Sequence, residues 1–252
     1  VNKKHIAQSF GKASQTYETQ APVQQWTANY LHDYIAGLGL DEPQDCLEIG
    51  CGTGFLTRKM LNLFANSYWL VTDLSPDMVA RCRETIEGQA EFCVMDGEHP
   101  NTDQRFDLIV STLAFQWFHN LPVALEGLTQ LLKPGGRLVF STLGKHSFQE
   151  WRENLQRLNM SVGLHDYPVL EDLEQMIFGN CQVHFEKQVR IQPYENGLDF
   201  LKALKAIGAQ APQSGYLPMT GGQMRKVIKA LEKNGDCEMT YEILIGDIQR
   251  KG

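Results

Sequence analysis

The chain has 252 residues, 42% of them hydrophobic and 10% aromatic, and a formal net charge of −7. This composition supplies a packed core and excludes global disorder, and no apolar run reaches the roughly 18–20 residues of a membrane span. The charge is divided: residues 38–135 hold 6 basic and 14 acidic side chains, residues 187–233 hold 8 and 3. An acidic centre argues against a nucleic-acid groove and suits a cationic ligand, and the basic stretch reads as a solvated face or a landing site for an acidic partner.

Residues 2–13 read as a helix, and a longer one runs toward Ala36 after a break at residues 14–16. VNKKHIAQSFGK at the start lacks the apolar segment of a secretory signal, so a cytoplasmic location is expected. From Cys46 on, strands and helices alternate. CLEI opens the first strand. The next helix carries Leu56, Met60, Leu63 and Phe64 at i, i+4, i+7 and i+8, one buried face. SYWLVTD (67–73) is the second strand. Ser75 then caps a helix with Pro76 at its first position, and Met78, Cys82 and Ile86 face inward. EFCVMD (91–96) and FDLIVSTL (106–113) follow as strands. ALEGLTQLL is a helix stopped by Lys133-Pro134-Gly135-Gly136, and RLVFSTL (137–143) is the fifth strand.

This alternation predicts a parallel sheet covered on both faces, with ligands at the carboxyl ends of its strands. Beyond Leu143 helices are expected at 147–159 and 169–178, a strand at 181–191, and two amphipathic helices, the second marked by Met224, Val227, Ile228 and Leu231. EMTYEILIGDI closes the sheet. The helical segments between 144 and 235 are expected to cap its mouth. The six cysteines form no C-x-x-C pair and have no histidine at zinc spacing, so reduced thiols and no metal site are expected.

CLEIGCGTG (46–54) is the most informative stretch. Gly50, Gly52 and Gly54 form G-x-G-x-G; the dinucleotide fingerprint would need a third glycine at 55, where Phe55 stands, and no P-loop G-K-[ST] follows. The loop therefore serves close backbone approach without a pyrophosphate site. Glu48 before it repels phosphate and attracts an ammonium or sulfonium group. Asp73 ends the second strand, where a carboxylate accepts both ribose hydroxyls, and Asp96 ends the third, within reach of an adenine amino group. Cys51 reads as a small loop residue rather than a nucleophile, and His119 and His146 read as surface residues.

This ordered set resembles the class I S-adenosylmethionine-dependent methyltransferases, with FDLIVSTLAFQWF similar to their fourth motif and LLKPGGRLVFST to their turn into strand five. The resemblance implies an α/β, Rossmann-like, seven-stranded sheet with an N-terminal helical lid (1–37) on a methyltransferase domain (38–252). It implies S-adenosyl-L-methionine as cofactor, contacted by Glu48, Gly50, Cys51, Gly52, Gly54, Asp73, Leu74, Met78, Asp96, Gly97, Ser111 and Leu113.

Towards its ends, SFGKASQTYE, LKALKAIGA, LPMTGGQM and TYEILIGDI resemble the malonyl-[acyl-carrier protein] O-methyltransferase family of biotin synthesis. Lys12 stands where that family commonly has Arg, and Thr112 where it has Asn. The resemblance implies methylation of the free carboxylate of malonyl on acyl carrier protein, or on coenzyme A, with no nucleic acid or membrane as partner. A carboxylate is already a nucleophile, so the work is alignment and exclusion of water, with Tyr17, Gln116 and Trp117 as candidate positioning residues and no general base. Lys202, Lys205, Arg225, Lys226 and Lys229 form the expected docking face. The alternative is another small-molecule methyltransferase, such as a quinone-type C-methylating enzyme.

Overall fold

The computed structural model describes residues 2–14, 17–86, 90–209, 216–232 and 237–252. Its centre is a seven-stranded sheet in the order β3-β2-β1-β4-β5-β7-β6. The first five strands are β1 (Asp45–Ile49), β2 (Tyr68–Asp73), β3 (Glu91–Val94), β4 (Phe106–Thr112) and β5 (Leu132–Leu143). β1 pairs in parallel with both β2 and β4, so the chain reverses its direction of winding between β1 and β4. That switch point opens a crevice at the carboxyl ends of the strands.

Two features differ from the sequence expectation. β7 (Cys237–Arg250) lies between β5 and β6 (Cys181–Tyr194) and runs antiparallel to both, so β6 keeps the direction of β1 to β5 while β7 is reversed. Lys133-Pro134-Gly135-Gly136 does not precede β5 but lies inside it, as a register shift opposite Phe106 and Leu108. Leu132 pairs with Phe106 before the irregularity, so the strand begins five residues earlier than the breaker residues suggest.

Side chains alternate between two cores, as the two-residue repeat of a strand requires. Cys46, Val71, Leu108, Val110 and Val139 face one cluster; Leu47, Leu70, Ile109, Leu138 and Phe140 face the other. The first cluster is covered by α3 (Pro22–Gly37), α4 (Phe55–Leu63), α5 (Pro76–Thr85), α7 (Gln149–Arg157), α9 (Gly197–Ala206) and α10 (Gly221–Leu231). The second is covered by α6 (Leu121–Gln130) and α8 (Leu170–Glu174). Leu31 and Ile35 of α3 are fully buried in the first core, so the second half of the expected N-terminal lid is part of the sheet's cover.

What stands over the crevice is α1 (Lys3–Ala13), followed by α2 (Tyr17–Gln20). Residues 15 and 16, within the expected break, lie outside the described residues. α1 packs on the start of α5 through Gly11, where any Cβ would collide with the carboxylate of Asp77. No helix among the described residues is long and apolar enough to cross a membrane.

Candidate active site

The carboxyl ends of β1 to β4 and the inner face of α1 bound a cavity that is partly open to solvent. Its floor is the glycine loop. Gly50, Gly52 and Gly54 all have positive φ, at 73°, 55° and 94°. At Gly50 the requirement is double, because a Cβ there would also strike the side chain of Ala114. The loop is pinned to the neighbouring strand: the amides of Gly50 and Cys51 donate to the Thr72 carbonyl at 2.8 and 2.9 Å. The amide of Gly52 donates to Asp73 Oδ2 at 2.9 Å, and that of Ser75 to Asp73 Oδ1 at 2.8 Å. Asp73 thus fixes both the loop and the start of α5, and burial raises its carboxyl above the usual range despite these bonds.

Of the residues expected to contact the cofactor, Gly50, Gly52, Asp73, Leu74, Met78, Asp96, Gly97 and Leu113 line the cavity. Glu48, Cys51, Gly54 and Ser111 do not line it. Glu48 lies fully buried behind the loop, with neither carboxylate oxygen hydrogen-bonded. Burial, with the Asp73 charge adding to it and the neighbouring Thr57 hydroxyl and Arg58 charge offsetting only part, pushes its pKa up to about 7. Cys51 is a buried free thiol whose carbonyl accepts the Gly54 amide at 2.9 Å. Gly54 caps α4, and the Ser111 hydroxyl holds the end of β1 by donating to the Ile49 carbonyl at 2.8 Å.

Asp96 carries an unanticipated partner. Lys3 of α1 reaches both of its oxygens, at 2.8 and 2.6 Å, and also Glu98 at 2.5 Å. Glu98 accepts the Asn120 amide at 2.7 Å and lies 3.1 Å from His119. Burial works to raise its pKa, but the bonds from Lys3, Asn120 and His119 outweigh it and hold the carboxyl at about 2. Lys3 therefore ties α1 to the rim of the cavity. Removing this partly buried tie in Lys3→Met is expected to speed cofactor release by roughly tenfold, about 1.4 kcal/mol, in a stopped-flow displacement experiment. An unchanged rate would show that α1 is held by its apolar contacts alone.

A second chamber adjoins the first, and Phe10, Tyr17, Leu113 and Trp117 form the wall between them. Trp117 meets Phe10 edge-on at 5.5 Å and His165 at 5.3 Å; Tyr17 lies 6.0 Å from Phe55. Gln116 lines only the second chamber, and its amide donates to the Leu113 carbonyl. Leu113 adopts a left-handed φ of 48°, and Phe148, another wall residue, has φ 58°. Of the three such non-glycine residues among those described, two thus flank the chambers, the strain that accompanies a fixed site geometry. Phe148, Leu164, Tyr167, Leu204, Ile207 and Tyr241 complete much of the wall. Leu204 of α9 and Leu164 and Tyr167 of the segment before α8 thus line this chamber, while α8 itself packs on β6.

Lys3, Glu98 and Tyr167 escape sequence reasoning. The only hint in the sequence is the spacing of Ile6, Ala7 and Phe10, an inward stripe on α1. His119 and His146 are exposed, as expected. Lys12 is exposed as well and lines neither chamber.

The cavity suits an S-adenosyl nucleoside. It offers a buried carboxylate behind bare backbone, one acid at the end of β2 and another just beyond β3, on the strand order of class I methyltransferases. A model of the methyltransferase domain family matches residues 47–140. A putative methyltransferase from Bacillus halodurans C-125 superimposes with a TM-score of 0.64 at 15% identity, over 88% of this chain and 99% of that one. The plantazolicin methyltransferase BpumL, in complex with a pentazolic analogue and SAH, gives 0.59 at 16% over 99% and 96%. The malonyl-[acyl-carrier protein] O-methyltransferase of Magnetococcus marinus is 37% identical over 96% of this chain and 90% of its own length. The biotin biosynthesis bifunctional protein BioCD of Bordetella avium is 37% identical over 96% of this chain, which spans about half (51%) of that longer protein.

The chain is a methyltransferase of the S-adenosylmethionine-dependent class. It belongs to the malonyl-[acyl-carrier protein] O-methyltransferase family.

Proposed function

We propose that the protein methylates the free carboxylate of a malonyl group carried on acyl carrier protein, giving the methyl ester that lets fatty-acid enzymes extend the masked primer toward pimeloyl and biotin. When bound, S-adenosylmethionine supplies a sulfonium methyl group, which a carboxylate oxygen takes with its lone pair while the C–S electron pair stays on sulfur. Glu48, Asp73, Asp96 and the glycine loop would hold that cofactor. Tyr17 and Trp117 stand between the chambers, where a methyl group must pass, and with Gln116 they would align the acceptor and exclude water.

One observation carries the choice of acceptor. Among the described residues lining the second chamber there is no His, Asp, Glu or Lys. Its polar side chains are Tyr17, Gln24, Gln116, Trp117, Tyr167 and Tyr241. A phenol or carbon acid would need a general base to remove its proton, whereas an ionised carboxylate needs none. That disfavours quinone-type C-methylation. The relatives named malonyl-[acyl-carrier protein] O-methyltransferase point to the same acceptor. Growth rescue of a biotin-requiring strain that lacks this step tests the reading; failure despite folded expression would overturn it.

The carrier would dock on α9 and α10. Leu204 of α9 and Ile207 just beyond its end line the second chamber, and Lys202 and Lys205 on the same helix are exposed, as are Arg225, Lys226 and Lys229 on α10. Reversing Lys202, Lys205 and Lys226 to Glu is expected to raise KM for malonyl-carrier protein, with little effect on a free malonyl thioester or malonyl-CoA. Equal effects on all three would sink this docking face.

A further inference from the structure

The second chamber is rich in unspent hydrogen-bond donors and, among the described residues, has no cation on its wall. Trp117 Nε1 is buried without an acceptor. The hydroxyls of Tyr17 and Tyr167 have no hydrogen-bond partner among the described residues, and burial pushes both phenols well above their usual range. No lysine or arginine is among the described lining residues. One such charge lies behind the wall. The Arg152 guanidinium sits 5.6 Å from the centre of the Tyr167 ring, and its nitrogens donate to the carbonyls of Ser147 and His165, both at 3.3 Å. Those two bonds fix the plane against which Tyr167 rests, and the Arg152 charge pulls the phenol back down, making it a better donor.

We propose that uncharged donors hold the acceptor carboxylate in the second chamber, with Tyr167 as a binding residue and Arg152 as a positioning residue that acts through it. This rests on the malonyl reading above and says how its acid is recognised. The chemistry favours such a cradle. The carboxylate loses its charge as the ester forms, so an ion pair would stabilise the ground state more than the transition state and raise the barrier. Neutral donors select the acid while leaving its oxygen nucleophilic.

The test titrates the SAH-loaded protein with malonyl-pantetheine and, separately, with its methyl ester, and measures KM and kcat alongside. Tyr167→Phe is expected to weaken acid binding about tenfold, equivalent to about 1.4 kcal/mol. Ester binding and SAH affinity should not change, and KM should rise far more than kcat falls. Arg152→Met should show the same acid-selective loss and Arg152→Lys a partial recovery. Should Arg152→Met fail to fold, judged by its melting with SAH, Tyr167→Phe alone decides. Equal losses for acid and ester, or none, would overturn the inference and leave the malonyl reading standing. Wild-type protein that binds no malonyl thioester would overturn both.

Discussion

Asp73→Ala is expected to lower affinity for S-adenosylmethionine by at least ~100-fold, to the point where calorimetry detects no binding. The magnitude follows from adding two losses. The carboxylate is the acceptor proposed for the ribose hydroxyls, and hydrogen bonds to a charged group contribute ~1.5–3 kcal/mol each. The same two oxygens also accept the amides of Gly52 and Ser75, so the substitution frees the glycine loop and the first turn of α5 at once. Asp73→Asn separates the two effects. It keeps one carbonyl acceptor while removing the charge that helps raise Glu48, so Glu48 should titrate lower in this variant. Affinity for Asp73→Ala within a few-fold of wild type would mean that the ribose is held elsewhere.

Glu48→Gln is expected to stabilise the unliganded protein at pH 8 yet weaken cofactor binding. The folded-state pKa of about 7 lies above the ordinary 4.5, so the native state holds its proton more tightly than the unfolded chain. Ionised, the buried group therefore destabilises the fold. The penalty is absent below about pH 4.5, grows between 4.5 and 7, and is complete above 7, with an upper bound of about 3 kcal/mol. The melting temperature of Glu48→Gln should exceed that of wild type at pH 8, and the gap should close by about pH 4. Its charge, one layer of backbone behind the loop, is what would favour a cationic ligand. Wild-type affinity should thus fall as pH drops below about 7, while the variant's affinity stays flat. Parallel pH profiles for the two proteins would remove Glu48 from the binding account.

The parts of this molecule set by short-range patterning are legible in the sequence. Strands of alternating apolar residues, the helix capped by Ser75 with Pro76, and the three glycines after β1 each follow from local rules, and they place Asp73 and Gly52 together because both sit at adjacent strand ends. The acid at position 48 stands out in the sequence, but its burial behind the loop does not, since strand alternation does not say how deep a loop lies. The tie from Lys3 to Asp96 spans 93 positions and depends on where α1 comes to rest, which no local pattern encodes. Tyr167 and Arg152 are invisible in the sequence for the same reason: the second chamber gathers side chains from α1, α2, α3, α9, β7 and the loops after β4, β5 and α7. Pro134 and the two glycines after it signal a turn and so suggest a late start for β5, and only pairing with β4 shows them to be a bulge.

The most direct measurement follows the labelled methyl group of S-adenosylmethionine in the presence of malonyl-carrier protein. The account predicts that label moves to the carrier's acyl group as a methyl ester that mild base releases as methanol. Label that resists base, or that stays on the donor while the protein binds it tightly, would contradict carboxyl methylation at this site.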